Sequence, residues 1–193
     1  MHSDEIKYPN WFFSGGTYNF YTYLNKYKDK PGLRFLQIGA FTGDASKWLL
    51  ENILTDTSST LTDVDTWTGS DEKIHKKFDW NHVEKTYDDK MSKFVNVIKE
   101  KQTSKQFLEN NNAEYDFIYI DGDHMAKQVY LDAVLSWKAL KNNGILAFDD
   151  YEWTHDSEDP EKSPGLGIDK FLEEEYGSFI LLKKSNQLWI KKI

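Results

Sequence analysis

The chain predicts an α/β fold: a mostly parallel, seven-stranded sheet flanked by helices and finished by a C-terminal antiparallel hairpin. Apolar runs at Arg34 to Ile38, Leu61 to Val64, Tyr115 to Ile120 and Ile145 to Phe148, with a weaker one at Phe94 to Ile98, read as strands buried on both faces. Helical stripes lie between them, the clearest being Val129, Ala133, Trp137 and Leu140 at i, i+4, i+8 and i+11, so strand and helix alternate as in right-handed βαβ units. The runs Phe179 to Lys184 and Leu188 to Lys192 meet near Ser185-Asn186, too tightly for a parallel crossover, and so form a hairpin.

Ahead of the first strand, Phe20, Tyr23, Leu24 and Tyr27 recur at helical spacing, with Trp11, Phe12 and Phe13 just before them. This aromatic extension, residues 1–30, is expected to pack on the sheet, and a lid over a ligand is its other reading. The charged stretch Asp71 to Lys93 reads as helical; it places His75 and His82 on solvated surface and has the reach of a second lid. Tyr151 to Gly167, with Pro160 and Pro164, reads as a long loop of the kind that carries function, ahead of a helix starting near Ile168.

The length of 193 residues suits one domain, 1–193. Against 24 Lys and Arg stand 32 Asp and Glu, a net charge of −8, which argues against a nucleic-acid substrate. The absence of cysteine excludes disulfides, thiolate zinc sites and a thiol nucleophile. No stretch approaches the roughly 20 apolar residues of a membrane span, and the acidic start Met1 to Glu5 lacks an apolar signal core, so a cytoplasmic protein is expected. Hairpin edges leave room for a homodimer.

In such sheets ligands bind beyond the carboxyl ends of the strands, where strand order reverses. After the first strand comes Gln37-Ile38-Gly39-Ala40-Phe41-Thr42-Gly43-Asp44-Ala45-Ser46. Its two glycines allow a sharp turn and close backbone approach, though they serve a purely structural turn equally well. The spacing is neither that of a three-glycine dinucleotide site nor that of a P-loop. Asp65 ends the second strand, where a carboxylate can accept from both hydroxyls of a ribose.

These runs, with Ile120-Asp121-Gly122-Asp123-His124, Gly144 to Tyr151 and Asp65-Thr66-Trp67 before Gly69-Ser70, resemble the Rossmann-like class I methyltransferases, and more narrowly their small-molecule O-methyltransferase branch. The resemblance implies S-adenosyl-L-methionine as cofactor: Gly39, Gly43 and Ser46 around its methionine part, Asp65 at its ribose, and Gln37, Thr66, Trp67, Gln102, Thr103 and Asp121 also in contact. The chain departs from that family at Gln37, where an acid is usual, and at Lys101-Gln102-Thr103-Ser104, which replaces its Gly-Asp/Asn-Ser.

Asp121 ends the fourth strand and Asp149-Asp150 the fifth, and neighbouring strands lie only about 4.8 Å apart. Clustered carboxylates call for protonation or a hard cation, Mg²⁺ or Mn²⁺, and the resemblance gives Asp121, Asp149 and Asp150 that metal role. Asp149 and Asp150 converge only if the strand has ended before them. His124 is the candidate base, alongside Asp121 as a catalytic residue, with His155 as rival and Asp123 in support. Trp67, Tyr151 and Trp153 are candidate acceptor walls.

The expected activity is methyl transfer to a hydroxyl of a small acceptor, a sugar or glycan before a catechol, assisted by a divalent metal. Its alternatives are a non-catalytic nucleoside or nucleotide-sugar binding protein and, behind it, an NAD-dependent oxidoreductase.

Overall fold

The computed structural model describes residues 8–154 and 159–193. The acidic start of the chain and His155 lie outside them. The chain opens with two short helices, α1 (Trp11–Gly15) and α2 (Thr17–Leu24), and then alternates: β1 (Arg34–Ile38), α3 (Asp44–Asn52), β2 (Thr60–Asp65), α4 (Trp80–Met91), β3 (Val97–Lys101), α5 (Ser104–Asn110), β4 (Tyr115–Ile120), α6 (Ala126–Ala139) and β5 (Leu140–Phe148). Helix α7 (Pro164–Glu174) leads to the hairpin β6 (Phe179–Lys184) and β7 (Leu188–Lys192).

The strands stand in the order β3-β2-β1-β4-β5-β7-β6, so the expected seven-stranded sheet is present. β1 to β5 run parallel, and β7 pairs antiparallel to both β5 and β6. The chain builds outward from β1 through β2 to β3, then returns to the other side of β1 with β4. The order therefore reverses between β1 and β4, and a crevice opens at their carboxyl ends.

Because side chains alternate across a strand, the apolar runs feed two cores. Phe35, Leu61 and Phe117 face α1 to α4, whereas Leu36, Ile38 and Ile118 face α5 to α7. Phe20 of α2 is fully buried among Phe12, Trp48, Phe117, Tyr119 and Trp189, with ring centroids 4.8–5.9 Å apart. Phe12, Phe20 and Leu24 of the aromatic extension are thus core, whereas Phe13, Tyr18 and Tyr21 are exposed. Its leading edge, Pro9, Trp11, Phe12 and Gly15, also borders the crevice, so both readings of the segment hold in part.

Three boundaries differ from the sequence expectation. β3 is Val97–Lys101, not Phe94–Ile98. Phe94 instead turns into the core after α4, and the edge strand spends its inner face on Lys99 and Lys101, which pair with Glu84 of α4. β5 starts at Leu140, since its pairing with β4 slips between Tyr115/Leu140 and Phe117/Ile145 and absorbs the polar residues Lys141 to Gly144. α7 starts at Pro164, not near Ile168. Proline suits the first helical turn, and Gly167 is present for close packing: a Cβ there would stand 2.1 Å from the Ala126 carbonyl oxygen of α6. Among the described residues no helix is long and apolar enough to cross a membrane.

Phe20→Ala should cost about 3–5 kcal/mol of stability, the usual range for emptying a filled aromatic site. Urea unfolding of both proteins checks this, and a loss below about 1 kcal/mol would mean that α2 is only loosely laid on the sheet.

Candidate active site

The crevice is a cavity of about 810 Å³. Its floor is the turn after β1. Gly39 has φ +84°, and a Cβ there would stand 1.9 Å from the Asp121 carbonyl oxygen, so only glycine lets the ends of β1 and β4 approach this closely. Asp65 holds the turn from β2: its Oδ2 accepts from the backbone N–H groups of Ala40 (2.8 Å) and Phe41 (2.9 Å), and its Oδ1 from that of Trp67 (2.7 Å). A carboxylate has about four acceptor positions, so Asp65, which lines the cavity, retains capacity for one more donor.

Of the residues expected around the cofactor, Gln37, Gly39, Asp65, Thr66, Gln102, Thr103 and Asp121 line the cavity. Gly43, Ser46 and Trp67 do not. Gly43 precedes α3 beneath the turn, and Ser46 is fully buried, donating to Gln37 Oε1 at 3.2 Å. Trp67 is 2% exposed, packs on Tyr87 and donates its indole N–H to the Phe41 carbonyl, so it is core and not an acceptor wall. Trp153 does line the cavity and tilts against the His124 ring at 4.8 Å, whereas Tyr151 turns its hydroxyl to Asp169.

At the other end the acids separate. β5 ends at Phe148, and Asp150 takes a left-handed φ of +53°, a conformation that asparagine and aspartate tolerate best among non-glycine residues. Asp150 thereby turns toward β4, where one ligand atom each from Asp121, His124 and Asp150 lie within 4.8 Å of one another. Asp149 turns the other way. Its carboxylate accepts from the Tyr119 hydroxyl and from the Asp150 backbone N–H, in a buried chain that continues through Gln187, in the hairpin turn just before β7, to Asn19 of α2. Burial, then Asp149 and Asp150, hold the Asp121 carboxyl well above the ordinary range, and burial with Asp150 raises that of Asp149.

His124 sits between two carboxylates. Nδ1 lies 3.0 Å from Glu72 Oε1 and Nε2 3.2 Å from Asp150 Oδ2, the latter off the line a hydrogen bond needs, so that Nε2 is buried without a hydrogen-bond partner. Burial opposes charge on the ring, but Asp150 and Glu72 outweigh it and raise its pKa to about 10. Burial likewise opposes charge on Glu72, and His124, His75 and Ser70 together hold its carboxyl down at about 2. The stretch after β2 does fold over the crevice as the lid reading expects, placing Glu72, Ile74, His75 and Trp80 in its wall. His75 is therefore not solvated surface, and His82 is half-buried with Nδ1 2.9 Å from the Tyr8 hydroxyl.

Sequence reasoning missed Glu72, which lies 52 positions from its partner His124. It also missed Asp132 and Gln128 of α6, which line the far end of the cavity beside Ser104. Ser104 donates to Asp132 at 2.6 Å, and burial raises the pKa of Asp132 to about 7.

Residues 36–151 match the family described as a methyltransferase domain. No curated protein matches the chain in sequence. Among solved structures, a protein described as an rRNA methylase from Clostridium thermocellum superposes with a TM-score of 0.66 at 14% identity, covering 91% of this chain and 96% of its own. The methyltransferase MycE of the mycinamycin biosynthetic pathway, in complex with Mg, SAH and mycinamycin VI, does so with a TM-score of 0.64 at 15% identity, covering 96% of this chain and 50% of its own. The O-methyltransferase TomG from Streptomyces achromogenes, in complex with SAM, gives 0.58 at 13%, covering 83% and 72%. At these identities the likeness is one of fold. The family match spans β1 through the Asp149-Asp150 turn, the stretch that builds the cavity, and the chain belongs to this methyltransferase family, with the class I, S-adenosylmethionine-dependent architecture.

Proposed function

We propose that the protein transfers the methyl group of S-adenosylmethionine to a hydroxyl of a small acceptor, foremost a sugar, with a divalent cation held by Asp121 and Asp150. The observation that carries this reading is the convergence of Asp121, His124 and Asp150 beside the Gly39 turn. Two oxygen donors fit a cation, and a cation that engaged Asp150 would remove one of the two carboxylates that hold the proton on His124, leaving Nε2 able to accept one. The magnesium named in the MycE complex supports the cation, and the macrolide in it supports a hydroxylated natural-product acceptor. The rRNA substrate suggested by the Clostridium neighbour is disfavoured by the net charge of −8.

The reaction is an in-line displacement. The acceptor oxygen bonds to the methyl carbon, the carbon–sulfur bond breaks, and its electron pair returns to sulfur as the neutral thioether. The turn at Gly39, held by Asp65, and the wall at Gln102 to Lys105 bind the two ends of the cofactor. A divalent cation, when bound, supplies positive charge against Asp121 and Asp150 and polarises the acceptor hydroxyl. With Asp150 so engaged, His124 keeps Glu72 as its partner: Glu72 fixes Nδ1 as the N–H, and Nε2 receives the acceptor proton. Trp153, against the His124 ring, offers a flat face to an acceptor ring.

Incubation with methyl-labelled S-adenosylmethionine and a panel of sugars and glycosides should label a hydroxyl oxygen. Label on no acceptor, from folded protein that binds the cofactor, would favour the non-catalytic alternative that the departure at Gln37 keeps in play. Chelation by EDTA should abolish transfer, and Mg²⁺ or Mn²⁺ should restore it; full activity in EDTA would remove the cation and leave the enzyme class. His124→Ala should lower kcat by about 10² to 10⁴, the range for losing a general base. Glu72→Gln should lower kcat by roughly tenfold or more with little change in KM, since it loses orientation alone. Gly39→Ala should lose cofactor binding while His124→Ala retains it, as calorimetric titration of S-adenosylhomocysteine would show.

A further inference from the structure

The family's acid at the end of the first strand is absent, yet a buried acid stands one strand away. In the β1–β2 register Gln37 lies opposite Asp63, and both point toward α3 and α4. Asp63 is 0% exposed; its Oδ2 accepts from the Tyr87 hydroxyl at 2.8 Å, and its Oδ1 has no hydrogen-bond partner. Ser46, on the first turns of α3, faces the Asp63 carboxyl and gives its proton to Gln37 Oε1. Gln37 in turn lines the cavity and donates from Nε2 to the Gly39 carbonyl at 2.9 Å.

No cation among the described neighbours is committed to Asp63. Lys99, its register partner on β3, extends over the Trp67 and Tyr87 rings to Glu84 and Asp88 of α4. Lys90 of α4 is paired with Asp44 of α3, and the nearest charge on its own strand is the like-signed Asp65. Burial therefore dominates and pushes the Asp63 carboxyl up to about 7, against the hydrogen bond from Tyr87 and the nearness of the Ser46 hydroxyl.

Ser46 has one hydroxyl proton and two acceptors in reach. While Asp63 is neutral it can donate to Ser46 Oγ, and Ser46 occupies Gln37 Oε1, as seen here. Once Asp63 is ionised, Ser46 turns its proton to the unpartnered Oδ1 and Gln37 Oε1 is released to another donor. An ammonium group in the cavity is such a donor, and it also favours a negative charge behind the glutamine.

We propose that Asp63 is the anion that answers the ammonium group at the methionine end of the cofactor, a positioning residue acting through Ser46 and Gln37, and that cofactor binding drives the proton from Asp63 into solvent. This rests on the cofactor reading above.

The test is calorimetric titration of S-adenosylhomocysteine at pH 6.5 in phosphate and in imidazole, whose ionisation enthalpies differ, beside 5′-methylthioadenosine, which carries the same nucleoside and thioether without the ammonium. S-adenosylhomocysteine should release about half a proton and methylthioadenosine none. Affinity for the first should rise between pH 6 and pH 8 and level off above, because the ionised form of Asp63 is the one that binds; affinity for the second should stay flat. Asp63→Asn should abolish the release and weaken S-adenosylhomocysteine about tenfold at pH 8, leaving methylthioadenosine unchanged. Ser46→Ala should act in the same direction, and it stands in if Asp63→Asn does not fold. Equal heats in the two buffers, or equal weakening of both ligands by the variants, overturns the proposal. Failure of both ligands to bind folded protein overturns the cofactor reading, and this proposal with it.

Discussion

Two neighbouring parallel strands, β4 and β5, bring their terminal acids to one edge of the sheet, and the crowding of Asp121, Asp149 and Asp150 there is the constraint that much of the surrounding structure answers. Strands about 4.8 Å apart cannot hold three ionised carboxylates in a closed space without partners. The structure separates them by a single backbone choice, the left-handed Asp150 that follows the end of β5. Asp149 is thereby delivered to the buried hydroxyl and amide chain of Tyr119, Gln187 and Asn19, which ties β4, the turn of the hairpin and α2 together. Asp150 is delivered to Asp121 and His124. The antiparallel hairpin thus does more than close the sheet: it brings Gln187 to the site, and Asn186 accepts from the Tyr151 backbone N–H just beyond the acids.

The opposite end of the crevice is governed by backbone approach. β1 and β4 come so near at Gly39 and Asp121 that no side chain fits between them, and Asp65 fixes the turn by taking two of its N–H groups. Phe41, left-handed at φ +47°, is held in that unfavoured conformation by the same carboxylate. The two halves of the site meet at Asp121, whose backbone crowds the turn while its side chain belongs to the acid cluster.

The sheet, its hairpin and the glycine turn were legible because each rests on local pattern: apolar runs, tight turn residues and glycine spacing. β3 was read three residues early because an edge strand buries little, and its inward lysines, paired to α4, look like surface. The helix at Pro164 was read late because its glycines resemble loop residues until α6 is seen packed against them. In the site, Asp121, His124 and Asp150 were visible as strand-end acids and a histidine. Glu72 was not, because a carboxylate in a charged stretch carries no sign of a partner 52 residues away. Asp63 passed unnoticed inside an apolar strand, its significance set by the register with Gln37 on the neighbouring strand. Trp67 had the composition of a binding wall, and only packing shows it to be core.

The roles given to Asp121, Asp150 and the Gly39 turn all depend on where the cofactor lies. A crystal structure of the protein with S-adenosylhomocysteine and Mn²⁺ should show the amino-acid end of the ligand at the Gly39 turn, its adenine toward Gln102 to Lys105, and an anomalous peak bounded by Asp121 and Asp150. A ligand bound away from the Gly39 turn, or a cation seated elsewhere, would contradict these roles.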